Sequence, residues 1–542
     1  IPVSDTISVS ALNTLAGKTA GVVTATATTG DTASFSSLAT DSNDVITINI
    51  NDNPSVSALN TIAGKTAGVV TATLASTAKA DLVALSTAST DVITVPVSDT
   101  VSVTELNTIA GKTGGPVTAT VTTGNTASFS ALATDSNDII TINISDNPSV
   151  SDLNTIAGKT GGVVTATLAT GNTASYSALN TAATDDITIN IDDNPSVADL
   201  NTIAGKTAGV VTATLATGNT ASYSALNTAS TDVITININD NPSVTNLNTI
   251  AGKTAGVVTA TLATGALSTF SALSTSGTDQ ITVNVNDADG VDLNATDLSA
   301  LGAKTAAAVN VTEAVDISGT TAEVTAALVT TGSLVLVADA NVSISDNPTI
   351  SELNDIAAKT TGVVTATLAA TSLSALGSLS TASTDVITIT VNDGNGTDIN
   401  ATDLSTLGGK TAGTVTVTHA IDISGTADEV TAALVTAGSL VEVSDPTVAI
   451  SDNPTVTELN DIAAKTTGPV TATLATGNTA SYSALNTAIT DVITININDN
   501  PSIANLNTIA GKTAGVVTAT LASTSAADLA SLSTAATDVI TI

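Results

Sequence analysis

The stretch Asn201-Thr-Ile-Ala-Gly-Lys-Thr-Ala-Gly-Val-Val-Thr-Ala-Thr-Leu215 decides how this chain is to be read, because near-copies of it recur along the whole sequence. Its lysine belongs to a series, Lys18, Lys65, Lys112, Lys159, Lys206 and Lys253, each 47 residues after the last. The series continues through Lys304, Lys359, Lys410, Lys465 and Lys512, so eleven of the twelve lysines share one register, and there is no arginine. A fixed period of this length is the mark of one supersecondary unit stacked many times, with each copy packed on its neighbours.

Each period divides into two similar halves, Asn194 to Leu215 and Ala216 to Ile238. In the first, a Ser or Thr cap precedes Leu-Asn-Thr-Ile, an acid sometimes enters the first turn as in Thr104-Glu105-Leu106, and Gly209 is expected to close the helical phrase. Val210-Val-Thr-Ala-Thr-Leu215 then alternates as a strand. The second half supplies Thr220-Ala-Ser-Tyr-Ser-Ala-Leu226, one turn of helix, and the cleaner strand Val233-Ile-Thr-Ile-Asn-Ile238. The expected fold is a β/α repeat solenoid of about 23 residues per coil, two coils per 47-residue repeat, with a parallel sheet whose strands lie ~4.8 Å apart. Some 22 coils would make a rod on the order of 110 Å. A pure β-helix, with turns in place of the helices, is the alternative.

The spacing divides the chain into regular repeats over residues 1–286, two 106-residue super-repeats over 287–498, and a return to the 47-residue repeat over 499–542, all expected to form one continuous rod. Within the super-repeats the lysine intervals become 51 and 55. The extra residues enter Asp287-Ala-Asp-Gly-Val-Asp292 and Asp393-Gly-Asn-Gly-Thr-Asp398, and insertions of this kind form loops on one face, where binding tends to reside. Residues 1 and 542 fall at the same phase of the repeat, and the opening Ile-Pro-Val-Ser-Asp-Thr returns as Val95-Pro-Val-Ser-Asp-Thr100. The expectation is a slice of a giant repetitive protein, or a subunit that self-associates end to end or laterally.

A net charge of −36 argues against nucleic acid as a partner, since phosphate binding draws on clustered Lys and Arg. Cysteine is absent, which removes disulfides and thiolate metal sites. Thr, Ser, Asn and Asp interrupt every hydrophobic stretch, so no membrane span is expected. Phe35, Phe129, Tyr176, Tyr223, Phe270 and Tyr482 share one register, with Leu82, Leu376 and Leu529 filling it elsewhere, and are read as one core position repeated layer after layer.

Three sets of residues carry candidate chemistry. The lysines Lys18, Lys65, Lys112, Lys159, Lys206 and Lys253 run alongside Asp44, Asp91, Asp138, Asp185, Asp232 and Asp279, and are expected to form a register-setting ion-pair ladder between coils. In the longer loops, Asp287, Asp289, Asp292 and Asp297 recur as Asp393, Asn395, Asp398 and Asp403. Carboxylate and amide oxygens around a glycine suit calcium, although the glycine spacing departs from that of an EF-hand. The Thr-x-Thr strands, including Thr71/Thr73, Thr118/Thr120, Thr165/Thr167 and Thr212/Thr214, would offer a flat hydroxyl array if they point outward, as an ice-binding face does. The lone histidine, His419, has no recurrent partner, and the Ser and Asp residues sit at repeat positions, so no enzymatic constellation is read here.

The phrases Ser351-Glu-Leu-Asn-Asp-Ile-Ala-Ala-Lys-Thr-Thr-Gly-Val-Val-Thr-Ala-Thr367 and Asp422-Ile-Ser-Gly-Thr-Ala-Asp-Glu-Val430 resemble repeats of very large bacterial cell-surface proteins, including those of cyanobacteria. The resemblance covers essentially the whole chain. It implies export to the cell surface and a fibre, surface-layer or adhesin role, often with calcium, and cell-surface polysaccharide or ice as further partners.

Overall fold

The eight-residue helices of this protein each begin from a side-chain cap. Ser196 stands extended at φ −68° and ψ 155°, and its hydroxyl accepts the Asp199 amide, which starts the helix Val197–Ala204. Leu200 and Ile203 lie one turn apart on its inner face and are buried. The helix ends at Gly205, whose amide returns to the carbonyls of Asn201 and Ile203 in a right-handed conformation. Gly209 therefore does not close the helix, contrary to the sequence expectation. It lies where the chain crosses the preceding coil, and a Cβ there would meet the Ile187 backbone at 2.6 Å.

The strand Val211–Thr214 follows, with Val211 and Ala213 inward. The short helix Thr220–Tyr223 is capped by Asn219, and the strand Val233–Asn237 buries Ile234 and Ile236 completely. The aromatic column is core: Phe35, Phe129, Tyr176, Tyr223, Phe270 and Tyr482 are each 3% exposed or less. Burial of the Tyr223 ring leaves its hydroxyl near two carbonyls, Ala216 at 2.5 Å and Asn237 at 3.0 Å, so the polar end is satisfied too.

The computed structural model describes residues 1–330, 335–436 and 441–542. The chain forms two compact units, Ile1–Thr261 and Leu262–Ile542. In the first, the strands from Pro2–Ile7 to Val258–Thr261 lie side by side in chain order, and their pairings are parallel. Eight-residue and four- or five-residue helices alternate between them. This is a β/α solenoid, and the helices exclude the pure β-helix.

The second unit differs in one respect. Within it, Gln280–Val285, Val309–Val311 and Val335–Val337 pair in that order, while another sheet opens at Asp292–Asn294 and runs through Asp316–Gly319 and Asn341–Ile344 to Val364–Thr367. A third opens in the same way at Asp398–Asn400. Each 106-residue super-repeat is thus a hand-over, in which several successive coils carry a strand in both the outgoing and the incoming sheet. The added residues of the 51- and 55-residue intervals are what make room for the second strand.

Candidate functional site

Within a coil, the acidic residues are positioned at the entrances to strands and short helices, where backbone amides have no ladder or helix partner. Asp232 is 2% exposed. Its Oδ1 accepts the Val211 amide of the preceding coil at 2.8 Å and its Oδ2 the Ala229 amide at 2.8 Å. Burial pushes the Asp232 carboxyl up, against the downward pull of these two amides. Asp44, Asp91, Asp138 and Asp185 make the same strand-entrance bond, to Val23, Val70, Val117 and Val164. Asp279 closes its own turn by accepting the Ser276 amide.

The ion-pair ladder expected from sequence is therefore replaced by a carboxylate-to-amide ladder. Among the described residues one salt bridge lies within 4.0 Å, Lys79 to Glu105 at 3.2 Å, and it involves the lysine outside the register. The repeat lysines do a different job where their ammonium contacts are defined. Lys65 Nζ donates to the Leu38 carbonyl at 2.7 Å, and Lys410 Nζ donates to the carbonyls of Gly377 and Leu379, so they close the C-terminal side of the short helix one coil back. Lys18, Lys112, Lys159, Lys206 and Lys253 occupy the equivalent position after each eight-residue helix.

A second acidic column holds the starts of short helices and, at Thr321, of an eight-residue one. Asp240 Oδ1 accepts both the amide and the hydroxyl of Thr220, at 2.8 and 2.6 Å, and Asp146, Asp193, Asp346 and Asp499 repeat this with Thr126, Thr173, Thr321 and Thr479. The threonine hydroxyl is the main reason these carboxyls lie below the usual range.

Two stitches escaped the sequence reading. Thr207 follows Lys206 and is buried, and its hydroxyl accepts the Ile187 amide at 2.7 Å and the Gly209 amide at 2.8 Å while facing the Asp185 and Ile187 carbonyls. Asn201 accepts the Asn227 amide and donates to the Ala225 carbonyl, bridging to the next coil. The signal for both was present, since Lys-Thr and Leu-Asn recur with the period, but the charged neighbour drew the reading.

The candidate threonines point outward, with the residues between them buried. In the ladder Thr71, Thr118, Thr165 and Thr212 each sit between a polar residue or proline and an outward residue that is mostly aliphatic: Asn49 and Val92, Pro96 and Ile139, Asn143 and Asp186, Asn190 and Val233. Thr73, Thr120, Thr167 and Thr214 instead stand beside Thr94, Thr141, Thr188 and Thr235. From Asn190 through Thr212 to Val233 two ladder steps span 43 residues, four short of the 47-residue period. Equivalent threonines are therefore displaced along the strand by ~13 Å per repeat, and the array is oblique.

The candidate calcium ligands are only partly gathered. Asp287, Asp292 and Asp297 line one cavity of about 520 Å³, and Asp393, Asp398 and Asp403 an equivalent one of about 540 Å³. Asp289 and Asn395 turn away and accept the amides of Ala314 and Ala420 at 3.1 Å. Asp287 and Asp393 are already engaged by the Leu267 and Leu373 amides at 2.7 Å. Among the described residues no group of three acidic or histidine side chains is placed to hold a metal ion. The glycine at the heart of each loop has a conformational role, as Gly290 and Gly396 adopt φ of +70° and +68°.

His419 is exposed, its Nδ1 3.2 Å from the Thr418 hydroxyl. Among the described residues no helix is long and apolar enough to cross a membrane. No protein-family model matches the sequence, and no curated protein matches it.

Proposed function

We propose that this protein is a structural or adhesive solenoid of the cell exterior, a fibre or surface-layer element that sets length and presents one surface many times over. The observation that carries this reading is the outward face of the sheet, where threonine rows flanked by Asn, Val and Ile recur repeat after repeat. Among the described residues, seven of the eighteen exposed large hydrophobic residues, Val45, Val92 and Val233 among them, open a strand, and five more, such as Val69 and Val257, lie just before one. A surface repeated in this way favours multivalent contact, in which many weak engagements add, over a single localised site. Lateral association with further copies, or contact with a cell-surface polysaccharide, uses the same face.

Antibody labelling of intact and of permeabilised source cells tests the reading. Labelling of intact cells is expected, and labelling only after permeabilisation refutes it.

The outward threonine pairs, such as Thr214 beside Thr235, favour a second reading as an ice-binding face. Its measure is inhibition of ice growth by the purified chain, with Thr212→Val and Thr214→Val reducing it.

A further inference from the structure

We infer that the two cavities at the sheet hand-overs are sites for an extended peptide with alternating basic and apolar side chains, bound as an added β-strand. This goes beyond the structural reading and does not depend on it.

The cavities arise from the fold itself. In a regular repeat the chain passes from Asp240 to the helix cap Ser243 in three residues, through the buried Pro242. In the super-repeat the same passage, from Asp287 to the cap Asn294, takes seven residues and forms the strand Asp292–Asn294. Among the described residues that strand is the first of its sheet, and Asp316–Gly319 is its one ladder partner. No ladder strand precedes Asp292–Asn294 among the described residues, and across the cavity from it lies the short helix Leu267–Phe270 of the coil before, with Ala300 and Leu301 of the helix Ala295–Gly302 also in the lining. A strand laid over a helix leaves a gap along its open backbone edge, and the cavity lies on that side, since Leu267, Phe270 and Leu273 line it. The second hand-over repeats the arrangement with Asp398–Asn400 over Leu373–Leu376.

An open strand edge beside an apolar floor is what strand addition uses: main-chain hydrogen bonds give affinity, and alternate side chains give selectivity. Volumes near 520 and 540 Å³ fall within the ~300 to 1,000 Å³ of small-ligand sites, room for a few side chains of a bound segment. Leu293 and Ile399 point inward and are buried, whereas Asp292 and Asp398 are exposed. A residue beside Leu293 would face the apolar floor, and its neighbours would lie beside Asp292.

The charge of the rim selects among peptides. Asp292 and Asp398 line the cavities, and each pairs in register with an acid outside the lining, Asp316 or Asp422, which accepts from Asn341 or Thr447 on the following strand. Asp297 and Asp403 add to them. Each cavity also has one lysine in its lining, Lys304 in the first and Lys410 in the second, so the carboxylates Asp292 and Asp297, or Asp398 and Asp403, outnumber it, and Lys410 is held by backbone carbonyls. A second copy of this chain, at net charge −36, is a poor occupant, and a Lys-apolar-Lys segment a good one.

The test is calorimetric titration of the full 542-residue chain, in ~0.15 M salt where long-range attraction is screened, with an acetylated hexapeptide of alternating Lys and Val. Two equivalent sites per chain are expected. Of two peptides N-methylated on alternate residues, one should bind at least tenfold more weakly and the other as well as the parent, because a strand offers one set of amides to the edge. Asp292→Asn combined with Asp398→Asn should weaken both sites with the circular dichroism unchanged. Absence of saturable binding overturns the proposal, as does a stoichiometry well above two, which marks diffuse charge attraction. Equal binding of both methylated peptides, or displacement of the peptide by a neutral oligosaccharide, overturns strand addition. The methylated pair decides the matter even if the double variant fails to fold.

Discussion

At the scale of single residues, the side chains that hold successive coils together are those able to accept backbone amides. Thr207 is the sharpest case, because one buried hydroxyl accepts two amides from two coils. Thr207→Val keeps the shape and strands both donors, so a loss of about 2–4 kcal/mol is expected in urea unfolding, with faster amide exchange at Ile187 and Gly209. Lys206 and Asp232 do not form an ion pair, so Lys206→Ala and Asp232→Ala should be additive to within ~0.5 kcal/mol in a double-mutant cycle; a larger coupling would restore the ladder. The pH dependence follows from the exposed carboxyls. Those of Asp146, Asp193, Asp240, Asp346 and Asp499 lie lower in the folded chain than in the unfolded one. Their contribution is present above the unfolded value, near 4, and is lost as pH falls through the folded one. Asp232, raised by burial, works the other way and favours the folded state as it is protonated. Thermal unfolding followed from pH 6 to 2 should show a net decline below about pH 4, shallower in Asp240→Asn.

At the scale of elements, capping carries much of the information. Ser196 and its equivalents fix where each eight-residue helix begins, and Glu105, Glu323, Glu352 and Glu429 complete capping boxes with Ser102, Thr320, Thr349 and Thr426. An isolated helix of two turns is unstable in water, so loss of a cap is felt directly. Ser196→Ala should cost about 1 kcal/mol, measurable as a shift in the urea midpoint with unchanged slope. These helices and the alternating strands were legible because caps and periodicity are local. Gly209 was misread for the same reason: a glycine after a helical phrase looks like a stop, and only the approach of Ile187 from another coil reveals its role.

At the scale of the whole molecule, stability is spread over coils that contact their neighbours. Deleting one full period, Val197 to Ser243, joins equivalent positions and should leave the ellipticity per residue unchanged. Deleting 40 residues from the same start breaks the cap and stitch positions and should unfold the adjoining coils, which amide exchange would localise.

The sequence by itself determined the period, the two coils per period and the inward aromatic column, because each follows from spacing along one chain, whereas the outward orientation of the threonines came from the structure. Only the tertiary structure decided which acids meet which amides and where one sheet hands over to the next. It also decided that the threonine rows run obliquely, since ladder register is set between coils: two steps of the ladder cover 43 residues, whereas the repeat covers 47. The cavities beside Asp292 and Asp398 belong to the same class, for they exist only because a strand comes to lie over a helix.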